Sequence, residues 1–426
     1  MIIALFLGCL IGGIALGIPI ALSLLLSSFG LMVYLDQYHT QLFAMHFMRG
    51  AESPAMMALP FFVLAGEFMN RGGLTMRIVN FANVFVGRFR GGLGYVTIIA
   101  CLIFASLVGS AVASTAALGA ILIPMMVNAR YDKIRSTALV ASANIVSPIM
   151  PPSVPLIIFG VSAGVSISKL FMAGIAPAVY ISIALCIIWF IISKKEKDVQ
   201  LMPKKSIKEN LKALASGFWA IMMPVIIIVG MRGGIFTPTE AGVVAVAYAF
   251  FVGAFVYRKL KWREIRGALV ATAKVTSVIM FLAASATVAS YLMTIGQIPQ
   301  MITRSLQGFV DNPLLLKFLI LGLVILLGTS MDVVPIILIL TPIFMPLVKA
   351  AGIDPVYFGV IFVIVTVFGL LTPPVGNVLN VGCGVAKIKM EQLVGPVIPY
   401  LIVILAILVL MTIFPQTILV PLSWFA

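Results

Sequence analysis

Between Lys317 and Lys349 the chain carries a single charged residue, Asp332, in the run GTSMD. A lone carboxylate at helix-centre depth in a membrane costs roughly 2.5–3.5 kcal/mol on insertion scales, so its retention implies a use. It suits two tasks, ligation of a cation and capping of a helix N-terminus, and one residue can do both. Further on, LTPPVGN (371–377) sets two prolines, a glycine and an amide in another apolar run. Each proline removes a backbone N–H and pushes against the carbonyl four residues earlier, so Pro373 and Pro374 free the carbonyls of Gly369 and Leu370. Thr372, Gly376 and Asn377 border that break, two of them with side-chain oxygens. Bare carbonyls at membrane depth are tolerated only where protein, water or an ion satisfies them. Oxygen is also what a hard cation such as Na⁺ takes, by analogy with other hard cations.

The arrangement occurs twice. In SPIMPPSVP (147–155), Pro151 and Pro152 free the carbonyls of Ser147 and Pro148, and Ser153 lies beside them. At an offset of 222 residues this diproline falls on Pro373–Pro374; likewise Pro124 falls on Pro346, Asp132 on Asp354, Gly160 on Gly382 and Pro177 on Pro399. Ser110 stands at the Asp332 position, within GSAVAST, which also holds Ser114 and Thr115. The counterpart run, GTSMD, holds Gly328, Thr329 and Ser330. Each half thus offers a polar turn facing a broken helix. Main-chain and hydroxyl oxygens form cation sites between them, and helix N-termini at the turns favour an anion. Ser114, Thr115, Ser153, Ser330 and Asn377 are the candidates for contact with that anion.

The elements that position these residues are apolar helices. The chain of 426 residues is 62% hydrophobic and 10% charged, a composition that predicts an all-α polytopic membrane protein with about ten spans and no soluble domain. The opening MIIALFLGCLIGGIALGIPIAL has no basic n-region and stays apolar to Leu35, so it reads as two short membrane segments around Gly17–Pro19 and not as a signal peptide. The net charge of +15 reads as cytoplasmic loops of a membrane protein and not as a nucleic-acid footprint. Residues 71–90, 130–135, 194–212 and 258–266, with Lys274, Lys387 and Lys389, hold 22 of the 28 basic residues and are placed inside. Arg49, Lys169, Arg232, Arg304, Lys317 and Lys349 are placed in outer loops.

The run 91–128 then begins and ends inside, either as two spans or as a re-entrant hairpin with its tip at Ser110–Thr115. The run 312–348 is its outward-flanked counterpart. An inverted repeat with discontinuous helices is the layout of many secondary transporters. Segment 74–90, apolar at 74, 78, 81, 85 and 89, predicts an interfacial amphipathic helix, with 258–268 as its counterpart. Glu67 reads as interfacial. Cys9, Cys101, Cys186 and Cys383 read as small packing residues, and His39 and His46 lack acidic or cysteine partners for a metal. There is no HExxH or GxxxxGK[ST], and the single GxSxG match, GVSAG (160–164), has no histidine near it in sequence, which argues against an intramembrane enzyme and against ATP-driven pumping in this chain.

LPFFVLAGEFMNRGGL (59–74), GSAVASTAALGAILIPMM (109–126), MPPS (150–153), LFMAGIAP (170–177), TPTEAG (237–242), MDVVPIILILTPIFMPL (331–347) and LTPPVG (371–376) together resemble the large membrane subunit of TRAP transporters, the DctM-like family. The resemblance spans nearly the whole chain. It implies an elevator-type, inverted-repeat ion-transporter-like fold with two re-entrant helical hairpins and two broken helices, in a multi-pass protein of the bacterial inner membrane. It implies Na⁺-coupled uptake of an organic anion of the sialic acid or C4-dicarboxylate class. The partners it implies are membrane lipids, a small four-helix membrane subunit and a periplasmic substrate-binding protein. A stand-alone carrier of related fold is the alternative. Carried onto this chain, the first Na⁺ site falls around Ser110, Ser147 and Pro151, and the second around Gly328, Thr329, Asp332, Thr372 and Gly376. The corresponding division is scaffold at 1–90 and 211–311, transport segments at 91–193 and 312–426, and a cytoplasmic basic linker at 194–210.

Overall fold

A computed structural model of the protein describes residues 2–37, 39–194, 196, 199, 206–305 and 307–424. Among them every regular element is a helix. The first half gives α1 (Ile2–Ala15), α2 (Ile20–Tyr34), α3 (Thr40–Ala51), α4 (Ala58–Arg71) and α5 (Leu74–Val86). It continues with α6 (Gly92–Val108), α7 (Ala111–Asn128), α8 (Lys133–Asn144), α9 (Val154–Ala163) and α10 (Ile167–Ser193). The second half gives α11 (Ile207–Arg232), α12 (Pro238–Phe251), α13 (Trp262–Ile295), α14 (Ile298–Ser305), α15 (Gln307–Val310) and α16 (Pro313–Gly328). It ends with α17 (Val333–Ala350), α18 (Pro355–Leu371), α19 (Asn377–Ala386), α20 (Met390–Ile413) and α21 (Gln416–Ser423). Among the described residues, seven helices are long and apolar enough to cross a membrane, α12 counting with its π-helical extension Val252–Val256. Other apolar helices are 10–17 residues long. The difference from about ten spans arises because breakers divide apolar runs: Gly17–Pro19 parts α1 from α2, Gly109 parts α6 from α7, and the diprolines part α8 from α9 and α18 from α19.

The offset of 222 residues carries α7 onto α17 end for end, and α6, α8, α9 and α10 onto α16, α18, α19 and α20. The repeated residues do the same work in both halves. Asp132 and Asp354 cap α8 and α18, accepting from the N–H groups of Arg135 (2.8 Å) and Tyr357 (2.7 Å), contacts of about 1 kcal/mol each. The halves diverge in their long arms: α3 and α4 map onto the single, 34-residue α13. Pro54 stands where the second half has Thr276, so the first arm is interrupted and the second is continuous. The counterpart of α5 at this offset is α14, not 258–268, which leads into α13. The buried face of α5 is Leu74, Thr75, Ile78, Val79 and Ala82, whereas Phe85 and Phe89 are exposed. Apolar spacing does not tell a core-facing stripe from one that meets lipid.

Two packing groups result. α4 lies on α12, α13 gathers α2, α3 and α4, and α5 lies on α11. The hairpins and broken helices pack crosswise between halves, α7 against α19 and α17 against α9. Contacts between the groups include α4 and α5 on α6, and α13 and α14 on α17. Arg71 ties the arms together by bonding Glu67 at 2.9 Å and Glu264 at 3.4 Å. Arg77 sits 3.4 Å over the Tyr257 ring, so the 71–77 and 257–264 stretches share one end of the molecule. Lys317 is not in a loop: it is buried in α16, and its Nζ donates to the Thr412 carbonyl at 2.6 Å in the last turn of α20. Helix C-termini leave such carbonyls unpaired and attract cations. In the basic stretch 194–210, positions 195, 197, 198 and 200–205 lie outside the described residues, and α11 begins within it at Ile207.

Candidate functional site

A cavity of about 510 Å³ lies where the two packing groups meet, within the size range of small-molecule sites. One wall is α4 and α13, contributing Glu67, Asn70 and Lys274; the other holds both hairpin turns and the edges of both breaks. Gly109, at φ +65°, ends α6, and extended Ser110 caps α7 by accepting from the Ala113 N–H at 3.4 Å. Asp332 caps α17 by accepting from the Val333 N–H at 2.7 Å. Ser110 and Asp332 both line the cavity, and so do the first residues of α7 (Ala111), α9 (Val154) and α17 (Val333). Three helix N-termini therefore converge on one space. Each carries partial positive charge and main-chain N–H groups without intrahelical partners, the arrangement that holds a carboxylate. Lys274 adds a full positive charge from the opposite wall, while Glu67 is engaged by Arg71.

Behind the cavity wall, the first break is sealed. Ser147, Ile149, Pro151, Pro152 and Ser153 are all buried, and the Pro151–Pro152 peptide is cis. Ser114 and Ser147 share a hydrogen bond of 2.9 Å between α7 and the break. Thr115 Oγ1 and Asn144 Oδ1 are buried with no hydrogen-bond partner. Of the two carbonyls that the prolines were expected to free, Pro148 accepts from the Ser153 hydroxyl, which also caps α9. Among the described residues the Ser147 carbonyl receives no hydrogen bond. Hydroxyl, amide and carbonyl oxygens left unsatisfied in one buried region have the donor chemistry of a hard cation site. Ser114 and Thr115, expected near the anion, are fully buried and do not line the cavity. Asn144 was absent from the sequence-based candidates, although a buried amide three residues before Ser147 is visible in SANIVSPIMPP.

The second break is more open: Pro374, Val375 and Asp332 are exposed. The Gly369 carbonyl, expected to be free, accepts from the Thr372 N–H at 3.0 Å, whereas the Leu370 carbonyl receives no bond among the described residues. Hairpin and break meet backbone to backbone, since a Cβ on Gly369 would lie 2.5 Å from Gly328. The hydroxyls of this group bond locally: Thr372 donates to Phe368 (2.9 Å), and Thr329 donates to Leu326 (2.8 Å) and lies 3.3 Å from Ser330. Gly376, at φ +43°, turns the chain into α19, which Asn377 begins. No hydrogen bond among the described residues joins Thr329, Ser330 or Asp332 to Thr372 or Asn377. Cys9, Cys101, Cys186 and Cys383 are free thiols, and His46 stacks on Tyr291 with ring centroids 3.8 Å apart.

Comparison with known proteins agrees with this architecture. The family model "Tripartite ATP-independent periplasmic transporter, DctM component" matches residues 7–417. The chain is 50% identical over 424 residues to the 2,3-diketo-L-gulonate TRAP transporter large permease protein YiaN of Escherichia coli (strain K12), covering 100% of both chains. It is 37% identical over 406 residues to the sialic acid TRAP transporter large permease protein SiaM of Vibrio cholerae, covering 95% of each. Among solved structures it is similar to the Alcanivorax borkumensis YdaH transporter, with a TM-score of 0.64 at 13% identity over 90% of this chain and 88% of that one, a likeness of fold. The chain belongs to the DctM component family of tripartite ATP-independent periplasmic transporters, the large permease proteins that cross the bacterial inner membrane many times.

Proposed function

We propose that this subunit imports a sugar-derived carboxylic acid, coupled to Na⁺, by an elevator movement of the hairpin and broken-helix group against the arms. The observation that carries the reading is the convergence of three helix N-termini on a cavity shared by the two packing groups. A carboxylate there is held by main-chain N–H groups of α7, α9 and α17 and faces Lys274. The 50% identity to a 2,3-diketo-L-gulonate permease favours a sugar acid over a C4-dicarboxylate. Residues 91–193 and 312–426 form the moving group and 1–90 and 211–311 the scaffold, a division supported by the crosswise packing of α7 on α19 and α17 on α9. In this reading the hairpins are re-entrant and the end bearing Arg71 and Glu264 is cytoplasmic.

Ser114, Thr115, Asn144 and Ser147 hold one cation, supported by the unsatisfied buried oxygens of Thr115 and Asn144 and by the hydroxyl pair of Ser114 and Ser147. Asp332, with Gly328, Thr329, Thr372 and Gly376, surrounds a second, more open position. Bound Na⁺ supplies positive charge that stabilises the packed hairpins and offsets Asp332 beside an anionic substrate. Substrate arrives on a periplasmic binding protein, and a small four-helix membrane subunit completes the complex; membership of a tripartite family favours this over a carrier working alone. The test is co-reconstitution with both partners in proteoliposomes and a panel of sugar acids, sialic acid and dicarboxylates under imposed ion gradients. Uptake of a sugar acid driven by an inward Na⁺ gradient is expected; uptake indifferent to Na⁺, or of no organic acid, would refute the reading.

A further inference from the structure

We propose that a second cavity, farther along α13, is an outer receiving site for a hydroxylated carboxylic acid, with Arg49 as its counter-charge. The inference rests on the transport reading above and adds a site to it. This cavity has a volume of about 410 Å³, and no carboxylate lines it. Its basic lining groups are the Arg49 guanidinium and the His46 imidazole, both from α3, and hydroxyls come from Ser53, Ser162, Thr287, Ser290, Tyr291 and Thr294. A cationic group and several hydroxyls lining one cavity, with no carboxylate among the lining residues, match a ligand that carries one carboxylate and several hydroxyls. The Thr287 hydroxyl donates to the Ala283 carbonyl at 2.9 Å, so its lone pairs remain to accept from such a ligand.

The wall is pre-organised. His46 is stacked on Tyr291 of α13, with 21° between the rings. Gly50 lets α3 approach so closely that a Cβ there would lie 2.6 Å from Thr287 Oγ1. Both cavities follow one helix: Lys274 to Leu282 of α13 line the inner one, and Ala283 to Thr294 line the outer one. The middles of these segments lie roughly 15 Å apart along the helix axis, a distance over which a moving hairpin pair exchanges one cavity for the other. The scaffold thus offers one basic side chain at each stop, Lys274 inside and Arg49 outside. The present structure places Leu338 and Pro342 of α17 in the outer cavity and the hairpin turns in the inner one.

The test uses the full chain with its small membrane partner in proteoliposomes supplied with the periplasmic binding protein for the uptake measurements, with Ser290→Cys as a reporter and Cys9, Cys101, Cys186 and Cys383 replaced by alanine. Labelling rates are measured with an anionic and a cationic methanethiosulfonate, with and without 2,3-diketo-L-gulonate or an uncharged sugar alcohol outside. The expected result is that Arg49→Gln lowers the anionic-to-cationic rate ratio about tenfold, that Arg49→Lys restores most of it, and that the acid protects the thiol only when residue 49 is basic. An unchanged ratio in Arg49→Gln, or equal protection by the sugar alcohol, overturns the proposal. Uptake in the same vesicles separates the two ideas: transport with an insensitive thiol sinks the outer site alone, and protection without transport upholds the site while the transport reading falls.

Discussion

Replacing Thr115 by valine tests the cation site with a sign that a packing role would not give. Thr115 is fully buried in α7 and its hydroxyl has no partner. A buried hydroxyl left unbonded is unfavourable by about 1–3 kcal/mol. Valine has the same branched shape without that group. In Na⁺-free medium Thr115→Val is therefore expected to be more stable than the wild type, by about 1 kcal/mol or more. With Na⁺ the order of gains reverses. A ligand at about 100 times its Kd stabilises the folded protein by about 2.7 kcal/mol. If the lost oxygen weakens binding about tenfold, the same Na⁺ concentration gives the variant only about 1.4 kcal/mol. The assay is thermal unfolding of the purified complex in nanodiscs, with NaCl compared against choline chloride at equal ionic strength. A variant less stable than the wild type without Na⁺, or one with an undiminished Na⁺-specific shift, would refute the assignment of Thr115 as a ligand.

Other substitutions address the second break, the cavity and the hairpin contact. Asp332→Asn removes the cavity's exposed carboxylate and is expected to abolish Na⁺-driven uptake while leaving complex assembly intact on size-exclusion chromatography; full transport would remove Asp332 from the site. Lys274→Gln is expected to raise the half-saturating substrate concentration roughly fivefold or more, the equivalent of about 1 kcal/mol for one lost charge contact; an unchanged value in uptake assays would exclude contact with the anion. Gly369→Ala places a Cβ 2.5 Å from Gly328 and is expected to destabilise the hairpin contact by about 1–3 kcal/mol. Gly322→Ala, with nothing within 4 Å, is the control and is expected to leave the unfolding temperature and uptake unchanged. Replacing Pro151 and Pro152 together by alanine restores two N–H donors beside the Ser147 and Pro148 carbonyls; Na⁺ half-saturation is expected to rise, and an unaltered value would count against carbonyl ligation.

The breaks, the hairpin turns and the repeat were legible in the sequence because each depends on residue types with strong local consequences. Proline cannot donate, glycine tolerates the positive φ found at Gly109 and Gly376, and aspartate caps helices at positions 132, 332 and 354. What the sequence did not resolve depends on which face of a helix meets which neighbour. Lys274 looked like a loop charge yet faces the cavity; Lys317 looked exposed yet is buried on the end of α20; Ser114 and Thr115 looked like turn residues yet lie behind it. In a membrane protein apolar side chains point both to the core and to lipid, so hydrophobic periodicity loses its usual power to assign faces. Polar residues then carry the information, and their partners lie in the other half of the chain, as with Lys317 and Thr412 or Arg71 and Glu264.

The repeat fixes backbone geometry without fixing the chemistry at equivalent positions. Ser110, Ser114, Asn144 and Ser147 in the first half correspond to Asp332, Ile336, Thr366 and Gly369 in the second. The first break thereby gains neutral buried oxygens, two of them unpartnered on Thr115 and Asn144. At the corresponding depth the second has Thr366, whose hydroxyl is spent on the Val363 carbonyl at 2.7 Å, and two glycines in backbone contact. Its charge sits instead on the cavity surface, at Asp332. A dry site built of neutral oxygens is costly to leave empty, whereas an exposed carboxylate is readily hydrated and screened by salt. Two equal cation sites therefore do not follow from the symmetry. If both positions take Na⁺ as proposed, the first favours tight, ordered binding that locks α7 to the break, and the second favours weak binding that responds to an anion beside it. In the proposed transport reading, coupling between ion and substrate would reside at Asp332, which lines the cavity proposed for the anion, and the buried first site would set the stability of the proposed moving group.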